Sequence, residues 1–200
     1  ITPAPLNVTG ITVAGKVYDT TKTVANSSIT SANVSFTGIK NDDVLTLNQG
    51  SLTAVYTSAN VGAEVPISVQ GLSVTGAKAS NYSITFAGLT APITAAPLVL
   101  SGVTGTNKVY DTTTSDTLSG AAALAGVLTA DVGAVTLSGS GTANFATANV
   151  GTDLALTVSG YSLSGAAAAN YSLTLPVGLR ANITAKPISV SGLSAADMVY

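Results

Sequence analysis

The sequence predicts an all-β fold made of tandem antiparallel β-sandwich modules, Ig-like in general form and arranged as an elongated array. Three observations support this prediction: a long internal repeat, short segments in which apolar and polar residues alternate, and 20 glycines among 200 residues. Such alternation marks strands with one buried face, and glycine supplies the turns between them. A β-grasp-like module is the alternative fold.

The internal repeat consists of landmarks that recur in the same order along the chain. Its period of about 90 residues is too long for a solenoid unit and matches the size of a domain. The landmark pairs are Pro5-Leu6 with Pro97-Leu98, Lys16-Val17-Tyr18-Asp19-Thr20-Thr21 with Lys108-Val109-Tyr110-Asp111-Thr112-Thr113, Ala59-Asn60-Val61-Gly62 with Ala148-Asn149-Val150-Gly151, Asn81-Tyr82-Ser83 with Asn170-Tyr171-Ser172, and Ile93-Thr94-Ala95-Ala96-Pro97 with Ile183-Thr184-Ala185-Lys186-Pro187.

The repeat divides the chain into two complete modules, residues 1–92 and 93–182, followed by residues 183–200 as the truncated start of a third. In the third, Val199-Tyr200 matches the motif and Met198 replaces its lysine. Both ends of the chain therefore resemble cuts through a longer protein. Prolines in the short joints favour extended chain, so we expect limited bending between modules.

Alternating segments supply six or seven short strands in each module. The clearest is Leu154-Ala155-Leu156-Thr157-Val158-Ser159, in which threonine and serine take the solvent positions that charged residues usually hold. Its counterpart in the first module is Val65-Pro66-Ile67-Ser68-Val69-Gln70. The spacing of such segments is typical of an all-β sandwich. A helical turn at residues 121–125, flanked by Gly120 and Gly126, is the main helical candidate.

The composition argues against most chemical functions. Seven Lys plus Arg and nine Asp plus Glu give a net charge of −2, so the cations are too few for the basic patch of a nucleic-acid binder. With no His and no Cys, the chain lacks imidazole bases, thiol nucleophiles and zinc ligands of the usual kind. No apolar run approaches the roughly 20 residues of a membrane helix. We therefore expect no enzyme activity, no cofactor, no nucleic-acid partner and no membrane insertion of this fragment.

The repeated residues are best explained as turns and core anchors. Asp19 and Asp111 can accept hydrogen bonds from backbone N–H groups two or three residues later and so fix a turn. The tyrosines can bury a ring while the hydroxyl finds a partner, and the asparagine–glycine turns tolerate left-handed backbone. These structural positions are Tyr18, Asp19, Thr20, Asn60, Gly62, Asn81, Tyr82, Tyr110, Asp111, Thr112, Asn149, Gly151, Asn170 and Tyr171.

Catalytic and calcium sites are the first two chemical alternatives. Asp42 and Asp43 are adjacent in a turn-like segment where the second module keeps only Asp131, and a solvated loop explains them better than a carboxylate pair. Calcium requires six to eight oxygen ligands, several of them from carboxylates. The nine acids of the chain do not cluster, so a dedicated calcium cage is not expected.

An intramolecular isopeptide bond between lysine and asparagine is the third alternative, because each module repeats a candidate set. The sets are Lys16, Asn81 and the acid Glu64 in the first module, and Lys108, Asn170 and the acid Asp153 in the second. Separate surface roles remain the favoured explanation. Ice binding is not supported, since no regular Thr-x-Thr array builds a flat face.

This arrangement of motifs resembles the YDG repeat domains of large bacterial adhesins and filamentous-haemagglutinin-like exoproteins. The resemblance covers essentially the whole chain, including residues 16–21, 59–62, 81–82 and 91–94 and their counterparts. One departure is that Thr20 and Thr112 stand where the family has glycine after Tyr-Asp. The backbone there cannot rely on a freely populated positive φ. The resemblance implies a bacterial surface protein with a stalk role and no known enzymatic activity.

Together these observations predict a secreted or cell-surface spacer. Its immediate partners would be neighbouring repeats of the same chain. The full protein would contact a host surface or other bacteria, as in adhesion or biofilm formation, and the fragment itself would be monomeric. The rival hypothesis is that the modules themselves bind a host glycan or protein.

Overall fold

The computed structural model describes residues 1–86, 88–198 and 200. The prediction of an all-β fold is confirmed, because 49% of the residues lie in strands and no helix reaches seven residues in the described part of the chain. The proposed motif of a third repeat includes Val199, which lies outside the described residues. No helix in those ranges is long and apolar enough to cross a membrane.

Strands and short 3₁₀ helices lie on both sides of the boundary between the two sequence repeats. The elements before this boundary are β1 (Ala4–Thr9), β2 (Thr12–Val13), β3 (Lys16–Val17), β4 (Ile29–Thr30), β5 (Ser35–Thr37), β6 (Thr46–Asn48), β7 (Thr53–Tyr56), β8 (Gly62–Gln70), β9 (Ser73–Thr75), β10 (Tyr82–Phe86) and β11 (Thr90–Thr94), with 3₁₀ helices η1 (Asn26–Ser28) and η2 (Ala79–Asn81). Those after it are β12 (Ala96–Gly105), β13 (Lys108–Val109), β14 (Ser115–Asp116), β15 (Leu118–Ala125), β16 (Thr136–Ser138), β17 (Thr142–Phe145), β18 (Gly151–Ser159), β19 (Ser162–Ser164), β20 (Tyr171–Thr174) and β21 (Arg180–Thr184), with η3 (Thr129–Asp131) and η4 (Ala168–Asn170).

The chain forms two compact units whose borders differ from those of the sequence repeats. Unit 1 contains Ile1–Pro97 together with two segments of the second repeat, Val127–Val135 and Gly165–Ser172. Unit 2 contains Leu98–Gly126, Thr136–Ser164 and Leu173–Tyr200. Two turns of the second repeat therefore pack with the first repeat, which the period of the sequence does not reveal.

Each unit is built from curled sheets of two to five strands. In unit 1 the larger sheets have the strand orders β10-β1-β5 and β3-β11-β8-β7, and β2-β4 and β6-β9 form two-stranded ribbons. In the second repeat the orders are β13-β21-β18-β17-β14 and β15-β12-β20, with β16-β19 as a ribbon. The motif strand of each repeat, β3 or β13, thus lies at the edge of a sheet beside that repeat's closing strand.

Strand pairing is mixed, which corrects the expectation of antiparallel pairing throughout. Strand β1 pairs with β10 in parallel, from Ala4 opposite Tyr82 to Val8 opposite Phe86. The pairs β3–β11 and β13–β21 are parallel as well. The four 3₁₀ helices are three residues long, so the described residues offer the β-grasp alternative no helix to wrap around.

The core follows the alternation seen in the sequence. In β18, Leu156 and Val158 are buried while Thr157 between them is exposed. In β12, Leu98 and Leu100 are almost fully buried. A fully buried leucine contributes about 1.5–3 kcal/mol to folding through the apolar area removed from water. In unit 2 the cluster of Ala143, Phe145, Leu156, Ala181 and Ile183 forms the hydrophobic centre.

The alanine-rich segment 121–125 is a strand rather than a helical turn. It lies in β15, which pairs with β12 across a bulge at Gly102. Gly102 and Gly120 have φ values of 79° and 91°, and a Cβ built on Gly120 would lie 2.2 Å from the Gly102 carbonyl oxygen. Only glycine fits this close approach of two backbones, and the bulged pairing holds the alanines in extended conformation.

Candidate functional site

The Lys-Val-Tyr-Asp-Thr-Thr motif of the first repeat forms a turn closed by one carboxylate oxygen. Asp19 Oδ1 accepts hydrogen bonds from the backbone N–H of Thr21 at 2.9 Å and from its hydroxyl, also at 2.9 Å. The same oxygen accepts Lys16 Nζ at 2.6 Å. Short side chains of this kind stabilise turns by bonding to backbone groups two residues on.

The lysine of the motif is bound inside the turn. Lys16 Nζ also donates to the carbonyl oxygens of Thr21 at 2.7 Å and Thr23 at 3.2 Å, and it lies 5.4 Å from the centre of the Tyr56 ring. In the second repeat, Lys108 makes the equivalent bonds to Asp111, Thr113 and Ser115. The lysine therefore ties together three successive parts of the turn, a role that the sequence reading missed although the residue repeats.

The threonine directly after the motif aspartate is held in a conformation that L-residues rarely adopt. Thr20 and Thr112 both have a φ of 69°. A β-branched residue in this left-handed conformation carries strain. The network around Asp19 and Lys16 fixes the backbone on both sides of Thr20 and so enforces this geometry.

The bonds to the motif carboxylates lower their pKa values. Hydrogen bonds from Lys108 and from the backbone and hydroxyl of Thr113 lower the pKa of Asp111 to about 2. For Asp19, burial acts to raise the pKa, but the hydrogen bonds from Lys16 and Thr21 outweigh it and the net pKa is lowered. Both turns therefore bind the ionised carboxylate more strongly than the neutral acid.

A second repeated feature pairs a buried tyrosine with an aspartate of the preceding turn. The Tyr82 hydroxyl donates to Asp43 Oδ2 at 2.8 Å and accepts from the Lys40 backbone N–H at 3.0 Å. In the second repeat the Tyr171 hydroxyl donates to Asp131 Oδ2 at 2.7 Å. The interpretation of these aspartates as a solvated loop is corrected for Asp43 and Asp131, whose carboxylates serve as acceptors for core tyrosines. Asp42 lies in the same turn with a φ of 54°.

Within unit 1, Tyr18 of the first repeat contacts this tyrosine–aspartate pair of the second. Its hydroxyl donates to Asp131 Oδ2 at 2.9 Å, so that one carboxylate oxygen accepts two tyrosine hydroxyls. The rings of Tyr18 and Tyr171 meet edge to face, with centroids 5.5 Å apart and planes at 79°. Burial, followed by the bond to Asp131, raises the pKa of Tyr171 to about 12 and raises the pKa of Tyr18 as well.

A second contact within unit 1 joins asparagines of the two repeats. Asn170 Oδ1 accepts the Val61 backbone N–H at 3.0 Å, and Asn170 Nδ2 donates to Asn60 Oδ1 at 3.2 Å. Asn170 is only 7% exposed. A buried amide with both its ends bonded is stabilising, whereas the same amide without partners would be costly. We call the contacts of Tyr18, Asn60 and Val61 with Asp131, Asn170 and Tyr171 the repeat joint.

The asparagine–glycine turns differ from expectation in their backbone. Asn60, Gly62, Asn149 and Gly151 are not among the residues with positive φ in the described chain. The space at these glycines is tight, because a Cβ on Gly62 would lie 3.0 Å from Val65 Cγ2 and one on Gly151 would lie 2.9 Å from Leu154 Cδ2, so those side chains would have to shift.

The isopeptide candidates have separate surroundings. In the described residues no hydrogen bond joins Lys16 to Asn81 or Glu64, and Asn81 ends η2 directly before Tyr82. Asn170 belongs to the repeat joint. The Asp153 carboxylate lies 3.4 Å from Arg180 Nη1. The lysine amines are therefore placed to bind their own turns.

The described residues contain no group of three or more acidic, histidine or cysteine side chains placed to hold a metal ion. A cleft of about 210 Å³ beside the first motif is lined by Lys16, Asp19, Val24, Ser28 and Tyr56 among others, but its lysine and aspartate are already bonded to each other. The features that recur in both repeats are the motif turn and the tyrosine–aspartate pair.

Comparison with known proteins identifies a domain family. A family profile described as the YDG domain matches residues 2–91 and again residues 94–178. No curated protein matches the chain. No solved structure matches it either. Because the two matched ranges include both motif turns, both tyrosine–aspartate pairs and most of the sequence between them, the chain belongs to the YDG domain family.

Proposed function

We propose that these repeats are structural spacers in the stalk of a large bacterial cell-surface adhesin, where they hold a distal binding region away from the cell. The observation that carries the proposal is the repeat joint. Its contacts use two hydroxyls on one carboxylate, an edge-to-face ring pair and a buried amide. Such contacts oppose bending where one repeat follows another.

The composition of the chain supports the same role. A spacer outside the cell must keep a stable fold. This chain contains no cysteine, so its stability does not depend on disulfide bonds. Its charged residues are few, and Lys16 and Lys108 are bonded within their own turns. An extracellular location, the absence of enzyme activity and the lack of a nucleic-acid partner are parts of this proposal.

Small-angle X-ray scattering tests the spacer role. The chain is compared with a longer version in which residues 1–182 precede the full chain, so that two further repeats are added in register. A spacer predicts that the maximum dimension grows in proportion to the number of repeats. A compact envelope whose dimension grows with the cube root of mass would contradict it.

The cellular context and the rival function need separate measurements. Antibodies against this chain should label intact cells that make the full-length protein, and labelling only after lysis would contradict a surface role. Glycan arrays and host cells should retain no more of the chain than of an unrelated protein. Specific retention would favour the rival hypothesis that the modules themselves are adhesive.

A further inference from the structure

The first repeat carries a surface equivalent to the one that receives Tyr18 in the second. We infer that the surface formed by Asp43, Asn81 and Tyr82, here called the Asp43 face, is a docking site for the tyrosine-motif end of a further repeat of this kind, linked through the Ile1–Ala4 segment. This inference rests on the proposed function, because it extends the joint to an array.

The repeat joint supplies the template. On its receiving side, Asp131 Oδ2 accepts a tyrosine hydroxyl from the first repeat and Asn170 Oδ1 accepts a backbone N–H from the turn at Val61. On the side of the first repeat, the Tyr18 hydroxyl donates to Asp131, whereas Asn60 Oδ1 accepts from Asn170 Nδ2. The joint therefore depends on a small number of residue identities on each side.

The Asp43 face has the same residues on the receiving side. Asp43, Asn81 and Tyr82 correspond to Asp131, Asn170 and Tyr171. The internal bond that positions the carboxylate is also present, since the Tyr82 hydroxyl donates to Asp43 Oδ2 at 2.8 Å, as Tyr171 does to Asp131 at 2.7 Å. A carboxylate accepts more than one hydrogen bond, so Asp43 can receive a second hydroxyl as Asp131 does.

Space for the occupant is present in unit 1. A groove of about 500 Å³ is lined by Asp43, Asn81, Tyr82 and the first four residues of the chain among others. Asn81 is exposed there, whereas its counterpart Asn170 is 7% exposed in the joint. Lys78 stands where the second repeat has the buried Ala167, but its position is exposed and its side chain can extend into solvent.

Unit 2 carries the residues that match the first-repeat side of the joint. Tyr110, Asn149 and Val150 correspond to Tyr18, Asn60 and Val61 of the joint. One side of the Tyr110 ring packs against the unit 2 core, and the residue is half-buried, in contrast to the buried Tyr18. Because the two sides of such a contact are different sets of residues, docking of this kind is heterologous, that is, head to tail.

Cysteine trapping in a lengthened chain tests the inference. Residues 1–182 are placed directly before the full chain, so that Ile1 of the second copy follows Asn182 as Ile93 follows Pro92. The variant carries Asn149→Cys in the first copy and Asn81→Cys in the second. Because the natural chain has no cysteine, this is the only thiol pair. The positive control is Asn60→Cys with Asn170→Cys in the 200-residue chain, whose side chains meet at 3.2 Å in the joint.

The expected result is oxidation to the disulfide at a rate within about threefold of the positive control, because docking holds the thiols at high effective concentration. A third pair, Asn149→Cys with Ser119→Cys of the second copy, measures linkage without docking and should react at least about tenfold more slowly. Cross-linking no faster than in this third pair would overturn the inference. Equal cross-linking between two separate chains, each with one cysteine, would overturn the need for a linked repeat.

A second measurement, which needs no cysteine, tests the docking even where the cysteine variants fold poorly. In the same lengthened chain, Tyr110→Phe in the first copy should lower the thermal midpoint, and Tyr110→Phe in the second copy should leave it unchanged. Equal shifts would contradict docking. Scattering from this chain reports length separately, so cross-linking without elongation would refute the spacer role alone, and elongation without cross-linking would refute the docking alone.

Discussion

Replacing Tyr18 by phenylalanine isolates the hydroxyl contribution to the repeat joint. The change removes the 2.9 Å bond to Asp131 Oδ2 and keeps the ring that meets Tyr171 edge to face. Hydrogen bonds to charged groups contribute about 1.5–3 kcal/mol. Tyr18 is 6% exposed, so water replaces the lost bond poorly. Asp131 keeps the Tyr171 hydroxyl at 2.7 Å, and this limits the loss to the lower end of that range, about 1.5 kcal/mol.

The chain provides a matched control in Tyr110→Phe. Tyr110 occupies the same place in the second motif, but it is half-buried, and in the described ranges its hydroxyl has no hydrogen bond within the chain. Such a substitution usually changes stability by less than about 0.5 kcal/mol. Both variants keep the aromatic ring and lose one oxygen, so the difference between them measures the joint.

Urea unfolding followed by far-ultraviolet circular dichroism measures both variants against the natural chain. We expect the midpoint to fall for Tyr18→Phe with little change in slope and to stay constant for Tyr110→Phe. For a chain of this size the thermal midpoint should fall by about 3–6 °C in the first variant. A double-mutant cycle with Asp131→Asn should give a coupling of about 1 kcal/mol. Equal effects of the two tyrosine variants, or zero coupling, would show that the Tyr18 hydroxyl does not stabilise the joint.

Three further predictions concern the turns and the lysines. Thr20→Gly should raise the free energy of unfolding by about 1 kcal/mol, because relief of the left-handed strain exceeds the entropy that glycine adds to the unfolded chain. Thr21→Gly should lower the free energy of unfolding, because it removes the hydroxyl bond to Asp19. A lower urea midpoint for Thr20→Gly would contradict this prediction. The pKa of Asp111 in the folded chain is lowered to about 2, so its contribution to stability is complete above the unfolded value near 4 and is lost as pH falls towards 2. The NMR shift of the Asp111 carboxyl carbon should follow this low pKa. A titration midpoint near 4 would be inconsistent with the turn. Intact-mass measurement should give the full calculated mass, because Lys16 is bonded to Asp19, and a loss of ammonia would instead support the isopeptide pairing with Asn81.

The all-β fold could be predicted because burial and sequence pattern coincide along the strands. Leu156 and Val158 are buried in β18, and the threonine between them is exposed, as alternation requires. The alternation of apolar and polar residues is the same whether a neighbouring strand is parallel or antiparallel, however, so the sequence did not distinguish the two kinds of pairing. The parallel register of Leu6 with Ile84 depends on tertiary pairing between distant parts of the repeat.

The residues of the site were largely visible in the repeat, but their partners were not. The motif aspartates accept the backbone N–H two residues on, an interaction local enough to be inferred from sequence. Asp131, by contrast, lies 113 residues from Tyr18 along the chain, and the repeats alone give no reason to connect them. The signal that could have found it was the retention of one aspartate in both turns despite the scarcity of acids.

Tyr18 and Tyr110 show why identical repeats need not have identical roles. Both follow Lys-Val and precede Asp-Thr-Thr, and their backbone N–H groups bond equivalent threonine carbonyls, Thr94 and Thr184, at 2.8 and 2.9 Å. The local turn is therefore the same, yet only Tyr18 is bonded to an aspartate of the other repeat and fully buried. The difference arises from what packs against the ring. In both repeats the motif stabilises its own turn, and in the first the tyrosine hydroxyl also bonds the aspartate that the second repeat presents.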